Sequence, residues 1–184
     1  MAARNWVGEL TAPVAWSAVV GGVFVALVVH ILLNMLGAGI GASSMEVRTP
    51  TQGEAQAIGW GAFAWWSISG IIAAFAGGWA AGLLAAGQGS PNGALHGFLS
   101  WAVTTVVVIT GAAIATGTAA AALGAMFAPI PTFIERPQET SEAAQSAVAI
   151  FSLASFVALL IGAGAATWGG RLANARTTQA RARK

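Results

Sequence analysis

Four stretches of this chain, about residues 13–36, 58–86, 94–127 and 147–170, contain no lysine, arginine, aspartate or glutamate. Each is at least as long as the roughly 20 apolar residues that carry an α-helix across the hydrocarbon core of a bilayer. A chain that enters lipid must satisfy every backbone N–H and C=O internally, and within a single segment only a helix does so. These runs therefore predict an all-α integral membrane protein of four transmembrane helices in one membrane domain covering residues 1–184. The third run exceeds one crossing, so it tilts or continues past the bilayer. The first has too long an apolar core for a signal peptide and reads as a retained helix.

Composition closes off the alternatives. Only 8% of the 184 residues are charged and 57% are hydrophobic, with a mean hydropathy of +0.74. Soluble domains carry about a quarter charged residues, so this chain cannot build a water-facing surface. With no cysteine there are no disulfides, thiolate metal sites or cysteine nucleophiles. Aspartate and tyrosine are also missing and histidine occurs twice. That inventory argues against an enzyme and gives no grounds for a cofactor or a metal site.

Charge sets the expected direction. Arg4 precedes the first run, and Arg171, Arg176, Arg181, Arg183 and Lys184 follow the fourth. The two loops on the other side, about 37–57 and 128–146, hold only Arg48 and Arg136, beside Glu46, Glu54, Glu135, Glu139 and Glu142. The positive-inside rule then places both termini in the cytoplasm of a bacterial inner membrane, with a basic tail at 171–184. Trp16, Trp79, Trp101 and Trp168 fall near the inner ends and Trp60 near an outer one, where interfacial indoles anchor. The tail's five cations are expected to contact anionic lipid headgroups rather than nucleic acid. The turn at 87–93 makes the second and third helices antiparallel neighbours.

Two halves of the chain align at an offset near 88 residues. Trp16-Ser17-Ala18-Val19 corresponds to Trp101-Ala102-Val103, Leu36-Gly37-Ala38 to Leu123-Gly124-Ala125, and Gly78-Trp79 to a like stretch at Thr167-Trp168. Each half contributes two crossings, so the expected arrangement is a pair of parallel helical-hairpin repeats about an axis along the membrane normal.

Small residues set the packing between helices in lipid, where close backbone approach replaces the hydrophobic drive. Gly70, Ala74, Gly78 and Gly82 recur every four residues on one face, and Gly162, Ala166 and Gly170 repeat the pattern in the fourth helix. Such faces serve packing within the bundle or self-association with a second copy. His30 and Asn34 share a face of the first helix, and a polar pair inside a membrane invites three readings: a bond to a partner helix, a lining of a path, or a ligand. His96 opens the third helix at the opposite side of the membrane, so the two histidines cannot face one haem iron. The serine and threonine hydroxyls read as bonds back to helix carbonyls. Gly37-Ala38-Gly39-Ile40-Gly41 follows a membrane helix rather than a strand, so it reads as the end of that helix and not as a phosphate loop.

Several stretches resemble a widespread family of short bacterial four-helix inner-membrane proteins, uncharacterised and sometimes labelled PhnA-like. The matching residues are Trp16-x-Ala18, Leu36-Gly37-x-Gly39-Ile40-Gly41, Gly77-Gly78-Trp79-x-Ala81-Gly82, and Gly93-Ala94-Leu95-His96-Gly97-Phe98 running on to Trp101-Ala102. They cover about the first two-thirds of the chain. Leu83 stands where that pattern commonly has a basic residue. The resemblance implies a bacterial multi-pass membrane protein and carries over no functional residue; for His96 it implies a cap or an interfacial hydrogen bond.

The expected role is that of a structural or accessory membrane protein with no chemistry of its own, present as a homo-oligomer or within a larger membrane complex. The alternative is a small channel or transporter with a polar path near His30 and Asn34.

Overall fold

The computed structural model describes residues 14–44, 51–115 and 142–182. They form four helices: α1 (Trp16–Ser44), α2 (Gln52–Gly87), α3 (Gly93–Ala115) and α4 (Glu142–Ala182). Each contains a segment long and apolar enough to cross a membrane. Large apolar side chains stand exposed on all four, among them Phe24 and Leu32 on α1, Ile72 on α2, Val106 on α3 and Leu160 on α4. Among the described residues these apolar segments keep no polar face for water, which suggests a multi-pass membrane protein.

The helix bounds depart from the expected runs at three places. α1 does not stop at Leu36 but continues through Gly37–Gly41 to Ser44. Glycine weakens a helix in water because the backbone has competing partners there, whereas lipid offers none. α2 starts at Gln52, six residues before its expected run, on a capping box. Thr51 Oγ1 accepts the Glu54 N–H at 3.4 Å, and the Glu54 carboxylate accepts the Thr51 N–H at 2.8 Å. The loop expected at 37–57 is thereby largely helical. α4 begins at Glu142 and runs 41 residues, taking in most of the basic tail. At 1.5 Å per residue that is roughly 60 Å, about twice a hydrocarbon core. Positions 116–127 of the third run and 128–141 of the second loop lie outside the described residues.

α2 and α3 are joined by the 87–93 turn, whose chemistry is local. Ser90 N–H reaches back to Ala85 O at 2.9 Å and Gly89 N–H to Ala86 O at 3.1 Å, a Schellman closure that needs a left-handed residue. Gly89, at φ +83°, supplies it. Pro91 follows, and Asn92 caps α3 by accepting the Leu95 N–H at 3.0 Å. The end of the bundle that carries this turn is called the turn end below, and the opposite one the loop end.

α2 is the central helix: it packs against α1, α3 and α4, while α3 also meets α1 and α4. Among the described residues α1 and α4 do not touch. Gly78 lies against Ala166 and Gly82 against Gly170, so α2 and α4 run parallel. α1 runs antiparallel to α2, with Gly22 on Gly77 and Gly37 on Trp65; α3 runs antiparallel to α4, with Gly93 on Gly170 and Gly97 on Ala166.

Candidate functional site

The buried residues gather toward the turn end and are almost all small. Ala18, Val19 and Ala26 on α1, Ala74, Ala81 and Ala85 on α2, and Ala166 and Ala173 on α4 are closed off, together with Ser69, His96 and Ser100. A Cβ on Gly22 would lie 2.6 Å from the Gly77 carbonyl oxygen, and one on Gly78 would lie 2.7 Å from Ala166 Cα. One on Gly82 would lie 2.7 Å from Gly170 Cα. No real side chain fits these gaps. The backbones meet directly, and the contact energy is dispersion summed over many close atom pairs.

The expected packing face thus has its location. Ala74, Gly78 and Gly82 of α2 meet Gly162, Ala166 and Gly170 of α4 within the chain, with Ala74 Cβ 4.0 Å from the Cβ position of Gly162. Gly70 sits apart from that seam, its nearest described neighbour being the His30 ring, 3.8 Å from its Cβ position. The Gly78/Gly82 face is covered by α4 and is not open to a second copy.

Polar side chains tie the turn end together. His96 is 1% exposed, and both its ring nitrogens are engaged. Nε2 accepts the Ala15 N–H at 2.9 Å, and Nδ1 lies 2.7 Å from the Asn92 carbonyl oxygen. A backbone amide can only donate and a carbonyl can only accept, so the ring is neutral with its proton on Nδ1. One imidazole thereby satisfies an amide that the N-terminus of α1 would leave without a helical partner. Next to it, Gln88 Nε2 donates to Ser17 Oγ at 2.9 Å, and Asn174 of α4 donates its carboxamide N–H to Pro91 O. The turn is held from both sides, by α1 and by α4.

His30 and Asn34, the expected polar pair, make different contacts. Asn34 Nδ2 donates to the His30 backbone carbonyl at 2.8 Å, a bond within its own helix. The His30 ring stands edge-on to Trp66, with centroids 6.1 Å apart. Thr104 and Thr167 likewise bond back to the carbonyls of Ser100 and Ala163 at 2.8 and 2.7 Å. Ser67 and Ser100 differ: their hydroxyls are buried with no hydrogen-bond partner among the described residues.

At the loop end, aromatic rings take over from glycine contacts. Trp65 Nε1 donates to Leu33 O at 2.9 Å and the pyrrole edge of its indole lies against Gly37, which has no side chain to exclude it. Phe63 and Phe151 meet at 4.9 Å. Beside them an open groove of about 340 Å³ runs between α2 and α4, lined by Gly59, Ala62, Phe63, Trp66, Phe151 and Ser155. Sequence reasoning missed this aromatic joint. Its signal was available in the phenylalanines 88 residues apart.

Of the cations expected at headgroups, Arg171 and Arg176 are exposed on α4 at the turn end. The Arg176 guanidinium lies 4.7 Å over the Trp79 ring. Arg181 falls in the last turn of α4, and Arg183 and Lys184 lie outside the described residues. The described residues contain no group of three or more histidines, cysteines or carboxylates that could hold a metal ion. No protein-family model, curated protein or solved structure matches the chain.

Proposed function

We propose that this chain is a structural or accessory integral membrane protein, which self-associates or stabilises a larger membrane assembly and performs no chemistry of its own. One observation carries this reading: the interior at the turn end is backbone against backbone, at Gly22–Gly77, Gly78–Ala166 and Gly82–Gly170. Such contacts make a close-packed block and leave little room for a moving substrate. His30 and Asn34 point the same way, since one is packed on an indole and the other is bonded to its own helix.

The reading includes placement in a bacterial inner membrane with both termini cytoplasmic, supported by the lysine and arginine asymmetry and by the PhnA-like resemblance. It also includes two parallel hairpin repeats. Phe63 faces Phe151, Ala74 faces Gly162, Gly78 faces Ala166 and Gly82 faces Gly170. In all four pairs the second number exceeds the first by 88, close to the offset at which the two halves of the sequence align, and this supports a two-fold axis passing between α2 and α4. The absence of an α1–α4 contact among the described residues, beside a substantial α2–α3 one, makes the outer parts of the two repeats unequal.

Native mass spectrometry of the protein in mild detergent tests the association. An oligomer or a co-purifying partner is expected, and a bare monomer overturns it. Liposome flux tests the alternative of a channel or transporter near His30 and Asn34. No selective flux of ions or small solutes is expected, and flux that vanishes in His30→Ala would establish transport instead.

A further inference from the structure

Phe75, Trp79 and Trp168 form an aromatic cluster where α2 and α4 meet near the turn end. The Phe75 ring lies 6.0 Å from that of Trp79 and 5.9 Å from that of Trp168. Gly169 makes this approach possible, because a Cβ there would lie 2.6 Å from Phe75 O. Trp168 is 61% exposed, so the cluster opens outward to lipid. Arg176 caps it, with its guanidinium 4.7 Å over the Trp79 ring. Trp168 and Arg176 are eight residues apart on one face of α4, about 12 Å along the axis. The order along the helix is therefore an apolar ring, then indoles, then a cation.

Stacking uses the face of a guanidinium and leaves the N–H edge in its plane open to an acceptor. The described charged side chains at this end are Arg171 and Arg176, both basic, while Glu54 lies in the first turn of α2 at the loop end. Among the described residues no carboxylate stands at this end for the guanidinium edge, which leaves room for a bound acceptor. It has to be an anion at the depth of the Arg176 side chain whose body extends along indole and phenyl rings. A phospholipid has that form, since its phosphodiester oxygens match the guanidinium fork and its glycerol and acyl chains match the rings. A choline or ethanolamine headgroup would bring its own cation beside Arg171 and Arg176; an uncharged headgroup would not. We infer that Trp79, Trp168 and Arg176 form a binding site for an anionic phospholipid. The inference rests on the four membrane-spanning helices and is independent of whether the protein scaffolds or transports.

Native mass spectrometry after equilibration with an equimolar mixture of phosphatidylglycerol and phosphatidylcholine in mild detergent is the test. The wild-type protein is expected to retain phosphatidylglycerol in preference. Arg176→Gln should lower the retained ratio about fivefold, the scale for one interfacial charge. Arg176→Lys, which keeps the charge but loses the planar fork, should lower it roughly two- to threefold. Lys184→Gln removes an equal charge eight residues further along the chain and should lower the ratio by less than Arg176→Gln does. An unchanged ratio in Arg176→Gln, full retention in Arg176→Lys, or an equal fall in Lys184→Gln would overturn the site. Displacement of the lipid by excess inorganic phosphate would overturn it too, as a free-anion site.

Discussion

Gly22, Gly77, Gly78, Gly82, Gly93 and Gly97 each lie hard against the backbone of another helix, whereas Gly39, Gly41, Gly53, Gly59, Gly61 and Gly111 have no described atom within 4 Å of where a Cβ would stand. The first set occupies the turn-end half of the bundle and the second the loop-end half. One residue type thus does two different things in one membrane domain. At the turn end glycine removes volume so that helices meet. At the loop end Gly37 admits the Trp65 indole, and aromatic rings rather than backbone contacts join the helices, as Phe63 does with Phe151 and Trp65 with Leu33. The contrast shows that glycine content alone does not measure packing in a membrane helix. What matters is whether the neighbouring helix presents backbone at the same level.

The largest expected effect comes from breaking the close half. Gly78→Leu forces α2 off Ala166 and should cost about 3 kcal/mol, the upper end for an overpacked core. It would be read from the denaturing-detergent midpoint by circular dichroism. A wild-type midpoint would mean that the seam is not where the stability resides. His96→Leu is smaller. It keeps the volume but strips the Ala15 amide of its acceptor, and a buried donor left unpaired costs about 1–3 kcal/mol. Hydrogen exchange should rise at the first turn of α1 and stay unchanged around Phe63. Protection lost equally at both ends would erase the distinction between them. Smallest, and opposite in sign, is Gly61→Ala at the open end. With no neighbour to displace, it should gain a fraction of the roughly 1 kcal/mol that helix propensity gives in water, since lipid offers the backbone no competing partner. A loss of similar size would show that an open glycine is covered in the native assembly, and would locate the partner.

The number of helices and their approximate placement were legible because a charge-free run of more than 20 residues has few alternatives to a membrane helix. Their ends were less so. Gly37–Gly41 reads as a terminator by rules learned in water, and the helix passes through it where no water competes for the backbone. Small-residue faces were legible as faces but not as pairings. Gly78 could have met a second copy or any of three helices, and only the three-dimensional arrangement assigns Ala166 to it. His30 and Asn34 illustrate the converse. Their spacing puts them on one face, yet the shortest route for the Asn34 carboxamide is the carbonyl one turn back, and a sequence pattern cannot weigh that bond against a longer one. The joint between Trp65 and Gly37 left no periodic trace, since it depends on a single ring meeting a single gap.

The bond from Ala15 to His96 spans 81 residues, and this separation sets an order of events during synthesis. At 5–20 residues per second, the ribosome needs roughly 4–16 s to bring His96 out after Ala15. For that interval α1 resides in the membrane with its first-turn amide still lacking the imidazole. Its small residues Gly22 and Ala26 also wait, until Gly77 arrives. Of these partners, the helix that leaves the ribosome earlier must therefore partition into lipid without the later one's help. α1 is the most apolar of the four described spans and α3 the least. α3 can be the least apolar because it follows a hairpin already in place, and its buried histidine completes α1.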